Sequence, residues 1–277
     1  MHFFRNIYFG FRAYWRAIQF IKKHKLYWYI LIPAVLMLGI YKLGEKIQFH
    51  EVAIQTESMN EIVWSMLRLL FEISIALLLM KFAKYLVVIL LSPLLSFLSQ
   101  KCEKILTGNS YSFNFNQLVR DVKRGLQIAI RNIMWEYFFF LIIYLAALIG
   151  WDEPQKAPIF YLTFVIGFFY YGFSFIDYVN ERLRLNVDES ILFVRKHRGL
   201  AIAIGSIYSI LILVPVDLGV LFTTKAFENG FFHGLGIYLF HLFLWICASC
   251  APILAIVAST LAMNDIVNLK NNIYSQK

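Results

Sequence analysis

Charge is scarce in this chain. Asp, Glu, Lys and Arg supply 16% of its 277 residues and apolar residues 60%, against roughly 25% and roughly 45–50% in a soluble domain. Long polar stretches are scarce too: the two longest, 42–61 and 100–130, are too short to bury a core of their own. These shortages exclude a soluble fold. They predict one membrane domain over 1–277, with an amphipathic arm at 1–25, membrane-inserted helices over 26–262 and a cytoplasmic tail at 263–277. Three cysteines do not make a disulfide framework. Cys247 and Cys250 form a Cys-x-x-Cys inside an apolar run, with no basic residue to lower a thiol pKa, and read as small packing residues.

Catalytic signatures are missing as well. The chain has no His-Glu-x-x-His, no Gly-x-Ser-x-Gly and no Gly-rich phosphate loop. An intramembrane aspartyl-protease pair would show Tyr-Asp and Gly-x-Gly-Asp, where this chain has Asp177-Tyr178 and Asp217-Leu218-Gly219. His233 and His241 are isolated, so no metal site is predicted. The reading is a non-enzymatic protein without a cofactor. Gly44-Glu45-Lys46 after the first apolar run offers no small-x-small cleavage site, so no cleavable signal peptide is expected.

What the chain does have is six apolar runs: 26–43, 69–98, 133–150, 159–176, 200–222 and 231–261. The segments between them alternate between basic and nearly charge-free. Six basic residues stand in the N-terminal arm, six in the second connection, five in the fourth and two in the tail. The opposite side holds only Lys42, Lys46, Lys156 and Lys225, a count of 19 against 4. The positive-inside rule then places both termini in the cytoplasm. The net charge of +9 therefore serves topology and anionic lipid headgroups rather than nucleic acid. The predicted fold is an all-α polytopic integral membrane protein: an N-terminal interfacial amphipathic helix and about six membrane-inserted helices, half-inserted hairpins among the options.

Local signals sharpen this picture. In the arm, Phe4, Ile7, Tyr8, Phe11, Trp15 and Ile18 recur at helical spacing beside a polar stripe of Arg5, Arg12, Arg16, Gln19 and Lys23. Gly10, Ala13 and Ala17 form a third stripe, small enough for another helix to approach. An interfacial helix fits all three. The second run, counted from Ile62, has 37 residues, about 55 Å as one helix and longer than the ~30 Å hydrocarbon core. Pro93 is placed to start a new helix that runs to Thr107, stops at Gly108 and lies in the cytoplasmic interface, with Leu94, Leu98, Cys102 and Ile105 as its apolar face. The third and fourth runs form a helical hairpin through 151–158. Asn186-Val187-Asp188-Glu189 resembles a capping box opening a short helix that ends near Gly199. The last two runs form a second hairpin through 223–230. Ala248, Ala251, Ala255, Ala258 and Ala262 mark a packing stripe on the final helix.

Ionisable groups at membrane depth are candidates for function. Lys81 and Lys84 share one face of the second run. They either point into a polar cavity that attracts an anion, or, with the helix shifted along its axis, snorkel or pair with Glu72. Arg68 and Glu72 read as an interfacial pair. Asp217 follows Pro215, where a helix break beside a ligand site competes with a plain hairpin turn in water. Asp177 ends the fourth run on the basic side, where it can pair with Arg182 or Arg184 or receive capping donors.

Several elements together are similar to the CysZ sulfate permease family, related to the etoposide-induced membrane proteins. They are the basic arm leading to Ile32-Pro33, Ser92-Pro93 followed by Cys102-Glu103-Lys104-Ile105-Leu106-Thr107-Gly108, and Phe175-Ile176-Asp177-Tyr178. Arg195 to Gly205, Val214-Pro215, and Pro252 followed by Ala258-Ser259-Thr260 continue the likeness. The resemblance implies long transmembrane helices, partly inserted hairpins, a homo-oligomer in a bacterial cytoplasmic (inner) membrane, and permeation of a small inorganic anion, sulfate first. Two departures stand out. The family's Gly-x-Arg-Arg sulfate-binding element falls here on Lys25-Leu26-Tyr27-Trp28, without the arginine pair, and the region between Pro215 and Pro252 is longer. Lys81 and Lys84 are then the pathway candidates and Lys25 the mouth. The opposing reading is a non-transporting scaffold that organises lipid or partner subunits.

An N-terminal tag is expected to react only with reagents on the cytoplasmic side of sealed vesicles. Equal labelling from both faces refutes the orientation drawn from the charge count.

Overall fold

The structure, a computed structural model, describes residues 2–48, 88–111, 115–212, 214, 216–228 and 230–271. Every regular element among them is helical. They are α1 (His2–Lys23), α2 (Leu31–Gln48), α3 (Ser92–Thr107), α4 (Phe115–Gly150), α5 (Leu162–Arg182), α6 (Val187–Lys196), α7 (Arg198–Ile212) and α8 (Phe231–Val267). Among the described residues, three helices are long and apolar enough to cross a membrane: Val122–Gly150, Pro158–Arg182 and Phe231–Val267. The α1–α2 pair, bent by 108°, passes the same test as one broken span. The chain is an all-α integral membrane protein.

The arm folds as its three stripes require. Gly10, Ala13 and Ala17 are buried, while Phe4, Tyr8, Phe11, Trp15 and Ile18 remain exposed. The small-residue face admits α7 and α8. A Cβ on Gly10 would lie 2.5 Å from the Ala203 Cβ, and one on Gly199 would lie 2.4 Å from the Phe3 carbonyl oxygen. Arg16 closes the contact with an ion pair to Asp265 near the end of α8.

The tightest packing joins α5 to α7. A Cβ at Gly172 would fall 1.8 Å from the Ala201 carbonyl oxygen, and one at Gly205 would fall 1.8 Å from that of Phe168. Two glycines thus let two backbones touch. Tyr171, Phe175 and Tyr208 fill the space around the crossing, the last two edge to face with ring centroids 4.8 Å apart. On α8, Ala248, Ala251, Ala255, Ala258 and Ala262 are buried together, the close-packing stripe read from their spacing.

Helix ends follow local chemistry. Pro93 sits in the first turn of α3, and Gly108 ends that helix with φ 80°, its N–H donating to the Lys104 carbonyl. Asn186 and Glu189 complete a reciprocal capping box on α6. This helix stops at Lys196, and α7 begins at Arg198.

One expectation is corrected, and two apolar runs gain helix bounds that their pattern alone does not give. The buried face of α3 is Ser92, Leu95, Ser96, Leu98, Ser99, Cys102 and Glu103, with Leu94 half-buried and Ile105 exposed. Small hydroxyl residues face inward there because α8 comes close enough for Ser99 Oγ to meet Thr260 Oγ1 at 2.8 Å. In the fifth run the described helix, α7, is short. The 15 residues of α7 reach about 22 Å, short of the ~30 Å core. After it Asp217 captures the Gly219 N–H, a local bond that competes with helix. Finally, α4 starts at Phe115, well before the apolar run at 133, because Ile128, Ala129 and Asn132 give its polar half a buried face. Of the expected long second run, 62–98, the part over 62–87 lies outside the described residues, as does the Arg68–Glu72 pair.

The glycine contacts generate a test. Gly205→Ala is expected to lower stability by about 3 kcal/mol or more, because α5 must move away from α7. Gly39→Ala, with nothing within 4 Å of the added carbon, is expected to be neutral or stabilising by up to about 1 kcal/mol. Thermal unfolding in detergent checks both.

Candidate functional site

The polar residues of the described bundle concentrate where α3, α4, α5 and α6 meet on the basic side. Asp177 on α5 is buried there. Arg124 of α4 grips it with two bonds, Nε to Oδ2 at 3.0 Å and Nη2 to Oδ1 at 2.8 Å. Ser190 of α6 donates to Asp177 Oδ1 at 2.5 Å and accepts from Asn180 Nδ2 at 2.8 Å. Arg124 Nη1 also donates to the Leu185 carbonyl. One carboxylate therefore fastens three helices and a turn, with the planar fork of arginine supplying the geometry.

A second lock lies beside it. Glu103 of α3 is fully buried and accepts from Arg182 Nε at 2.7 Å, from the Tyr111 hydroxyl at 2.5 Å and from Asn109 Nδ2 at 3.2 Å. Arg182 also donates to the Tyr178 carbonyl, and Asn109 to the carbonyl of Leu269, which ties in the segment after α8. Burial pushes the neighbouring Cys102 thiol up to about 12 against the pull of Arg182 and Lys101, so this sulfur stays protonated and packs.

The sequence lets Asp177 pair with Arg182 or Arg184 or receive capping donors; in the structure its donors are Arg124 and Ser190, and neither of the two nearby arginines. Arg182 is five residues on, rotated well away from Asp177 on the helix, and meets Glu103 instead. Arg184 lies past the end of α5 with φ 54°. The partner of Asp177 comes from another helix 53 residues earlier in the chain.

Membrane depth holds one carboxylate that the sequence reading passed over. Glu136 on α4 is the sole residue of the Asp, Glu, Lys and Arg set in the run 133–150. It faces α5, where it accepts from the Tyr171 hydroxyl at 3.3 Å and would lie 3.1 Å from a Cβ on Gly167. Asn132, fully buried one turn before, donates to the Tyr170 carbonyl at 3.2 Å and to Ser174 Oγ at 3.3 Å. The solitary Glu in an apolar run was the signal available for Glu136. For Glu103 it was the spacing Ser92, Ser96, Ser99, Glu103, a polar stripe on one helical face.

The other predicted residues are scattered. Lys25 is exposed at the bend between α1 and α2, with φ 55° and ψ 36°. The resemblance puts a glycine at this position, and the left-handed backbone explains why one suits it. Where that likeness has its arginine pair, Tyr27 and Trp28 are exposed aromatics and Leu26 is buried. Asp217 is exposed beyond α7, at the opposite end of that helix from the Asp177 lock. Its carboxylate caps the turn Leu218–Leu221 and its backbone N–H donates to His241 Nδ1 at 3.1 Å. Lys81 and Lys84 lie outside the described residues. No cluster of three metal-ligating side chains occurs among the described residues.

Chemically, the two locks neutralise Asp177 and Glu103 with guanidinium groups. The remaining lysines and arginines of that side, among them Arg131, Arg195 and Arg198, then set a positive local field. Replacing Asp177 by Asn or Arg124 by Gln is expected to cost about 3 kcal/mol, because each leaves a buried charge without its partner. The double variant is expected to cost less than the sum. Unfolding midpoints of the four proteins in a double-mutant cycle check this.

The family model described as sulfate transporter CysZ/etoposide-induced protein 2.4 matches residues 13–224. The chain belongs to this family. Pro252 to Thr260, which resemble the closing segment of the sulfate permeases, fall beyond the matched residues. No curated protein matches the chain.

Proposed function

We propose that this member of the CysZ/etoposide-induced protein 2.4 family is a permease or channel for a small inorganic anion, with sulfate the first candidate. The observation that carries the reading is the family match over residues 13–224, whose description names a sulfate transporter. The charge pattern supports it. Both buried carboxylates of the basic side are matched by arginine, so an approaching anion meets cations there. The proposed orientation has both termini in the cytoplasm of a bacterial inner membrane, with the protein acting as a homo-oligomer.

Within this reading, Lys81 and Lys84 attract the anion inside the pathway and Lys25 serves its mouth. The exposed position of Lys25, at the hinge between the arm and α2, suits that role. Tyr27 and Trp28 cannot supply the two-pronged grip that an arginine pair gives a tetrahedral oxyanion. Selectivity among oxyanions is therefore weaker than an arginine pair would allow.

Sulfate flux into liposomes bearing the purified protein tests the proposal, with chloride and phosphate for comparison. Flux is expected for the native chain and is expected to fall at least tenfold in Lys81→Ala/Lys84→Ala, on the order of the loss of one charge contact of about 1.4 kcal/mol. Flux that survives the double change removes these lysines from the pathway and keeps the permease. No flux of any anion from folded, inserted protein overturns the permease and favours the scaffold.

A further inference from the structure

The apolar face of α4 begins abruptly. Arg131 is its last basic residue, and from Met134 onward its exposed side chains are apolar, Phe138, Leu141, Leu145 and Ile149 among them. The 18 residues of the run 133–150 rise about 27 Å, close to the thickness of the hydrocarbon core. Arg131 therefore marks the headgroup level on this side of the bundle. Tyr170, Arg195 at the end of α6 and Asp188 all lie within electrostatic range of Arg131.

Beside this boundary lies a groove of about 460 Å³ lined by α4, α5, α6 and α7. Arg195, Arg198 and Tyr170 supply its polar groups. Trp135, Phe139, Val165 and Phe169 are among its apolar lining, in the direction of the membrane interior. Neither Arg195 nor Arg198 makes an ion pair among the described residues. Arg198 instead lies over the ring of Phe3 on the arm, 5.8 Å from its centroid. Two exposed guanidinium groups thus stand at headgroup level, above an aromatic and aliphatic trough that descends to acyl-chain depth.

We propose that this groove is a binding site for one anionic phospholipid, its phosphate held by Arg195 and Arg198 and one acyl chain laid along Trp135, Phe139 and Phe169. Charge complementarity selects an anion. The apolar length of the groove selects one with a hydrocarbon tail, since a free inorganic anion gains nothing from that wall. The contact of Arg198 with Phe3 links the site to α1, so the bound lipid helps to fix the arm. The proposal is independent of anion permeation, because its test reads lipid retention and not flux.

The test is native mass spectrometry of the full chain in detergent, titrated with dioleoyl phosphatidylglycerol or dioleoyl phosphatidylcholine. Phosphatidylglycerol is expected to be retained in preference. Arg195→Gln/Arg198→Gln is expected to weaken that lipid about thirtyfold, as the loss of two basic contacts near a membrane surface implies. Lys196→Gln, which removes one charge from the same exposed helix end, is expected to leave it unchanged. Ile202→Trp fills the groove from α7 without altering charge and is expected to lower retention too; it decides the matter alone if the double variant fails to fold. Equal retention of the two lipids overturns the proposal, as does a preference that survives Ile202→Trp. Displacement by millimolar inorganic phosphate also overturns it, assigning the arginines to a soluble anion instead.

Discussion

The closeness of α5 and α7 is the constraint on which the other contacts depend. In lipid there is no hydrophobic force to press two apolar helices together, so association rests on how well their surfaces pack and on the polar bonds between them. Gly172 and Gly205 remove the side chains that would otherwise hold the backbones apart. The same device is used again where α1 meets α7, through Gly10 and Gly199. Tyr14 adds a directional contact there, its hydroxyl donating to the Ile204 carbonyl at 2.7 Å. An amphipathic helix that would otherwise lie on the membrane surface is thus held against the bundle by one face, with its aromatic residues left free for lipid.

The charged contacts act at one end of this packed unit. Asp177 with Arg124 and Glu103 with Arg182 join α3, α4 and α5, and Ser190 and Asn109 extend the network to α6 and to the segment after α8. Burying these groups is costly alone and tolerable in pairs. Their value to the protein is placement: each carboxylate accepts from donors on more than one element, so the elements share a single geometry. Pairing also cancels the charge of the two carboxylates in the locks, and arginines and lysines outnumber the acidic residues that remain at this end. Anion permeation and retention of an anionic lipid both draw on that excess, one through a pathway and the other through a groove open to the bilayer.

Features written into neighbouring residues were legible in advance. The three stripes of α1, the Pro93 start and Gly108 stop of α3, the capping box at Asn186 and the alanine stripe of α8 each depend on spacings of a few residues. So did the family likeness, whose elements are short and ordered along the chain. The partners of Asp177 were not legible, because Arg124 is far away in sequence and nothing local favours it over Arg182. The inward face of α3 was misjudged for a related reason. Hydrophobicity pointed to Leu94 and Ile105, but the neighbour is a narrow helix whose Thr260 takes a hydrogen bond, and serine fits that gap better than leucine.

The sequence by itself determined that this is a helical membrane protein, which runs are apolar, which connections are basic and to which family it belongs. Composition and periodicity suffice for that, since each follows from how single segments partition between water and lipid. Only the tertiary structure decided that α7 is too short to span, that Glu136 faces Tyr171, and that Arg195 and Arg198 crown a groove walled by α4 and α5. Those are properties of pairs and triples of elements, and they exist only once glycine contacts set the distances between helices.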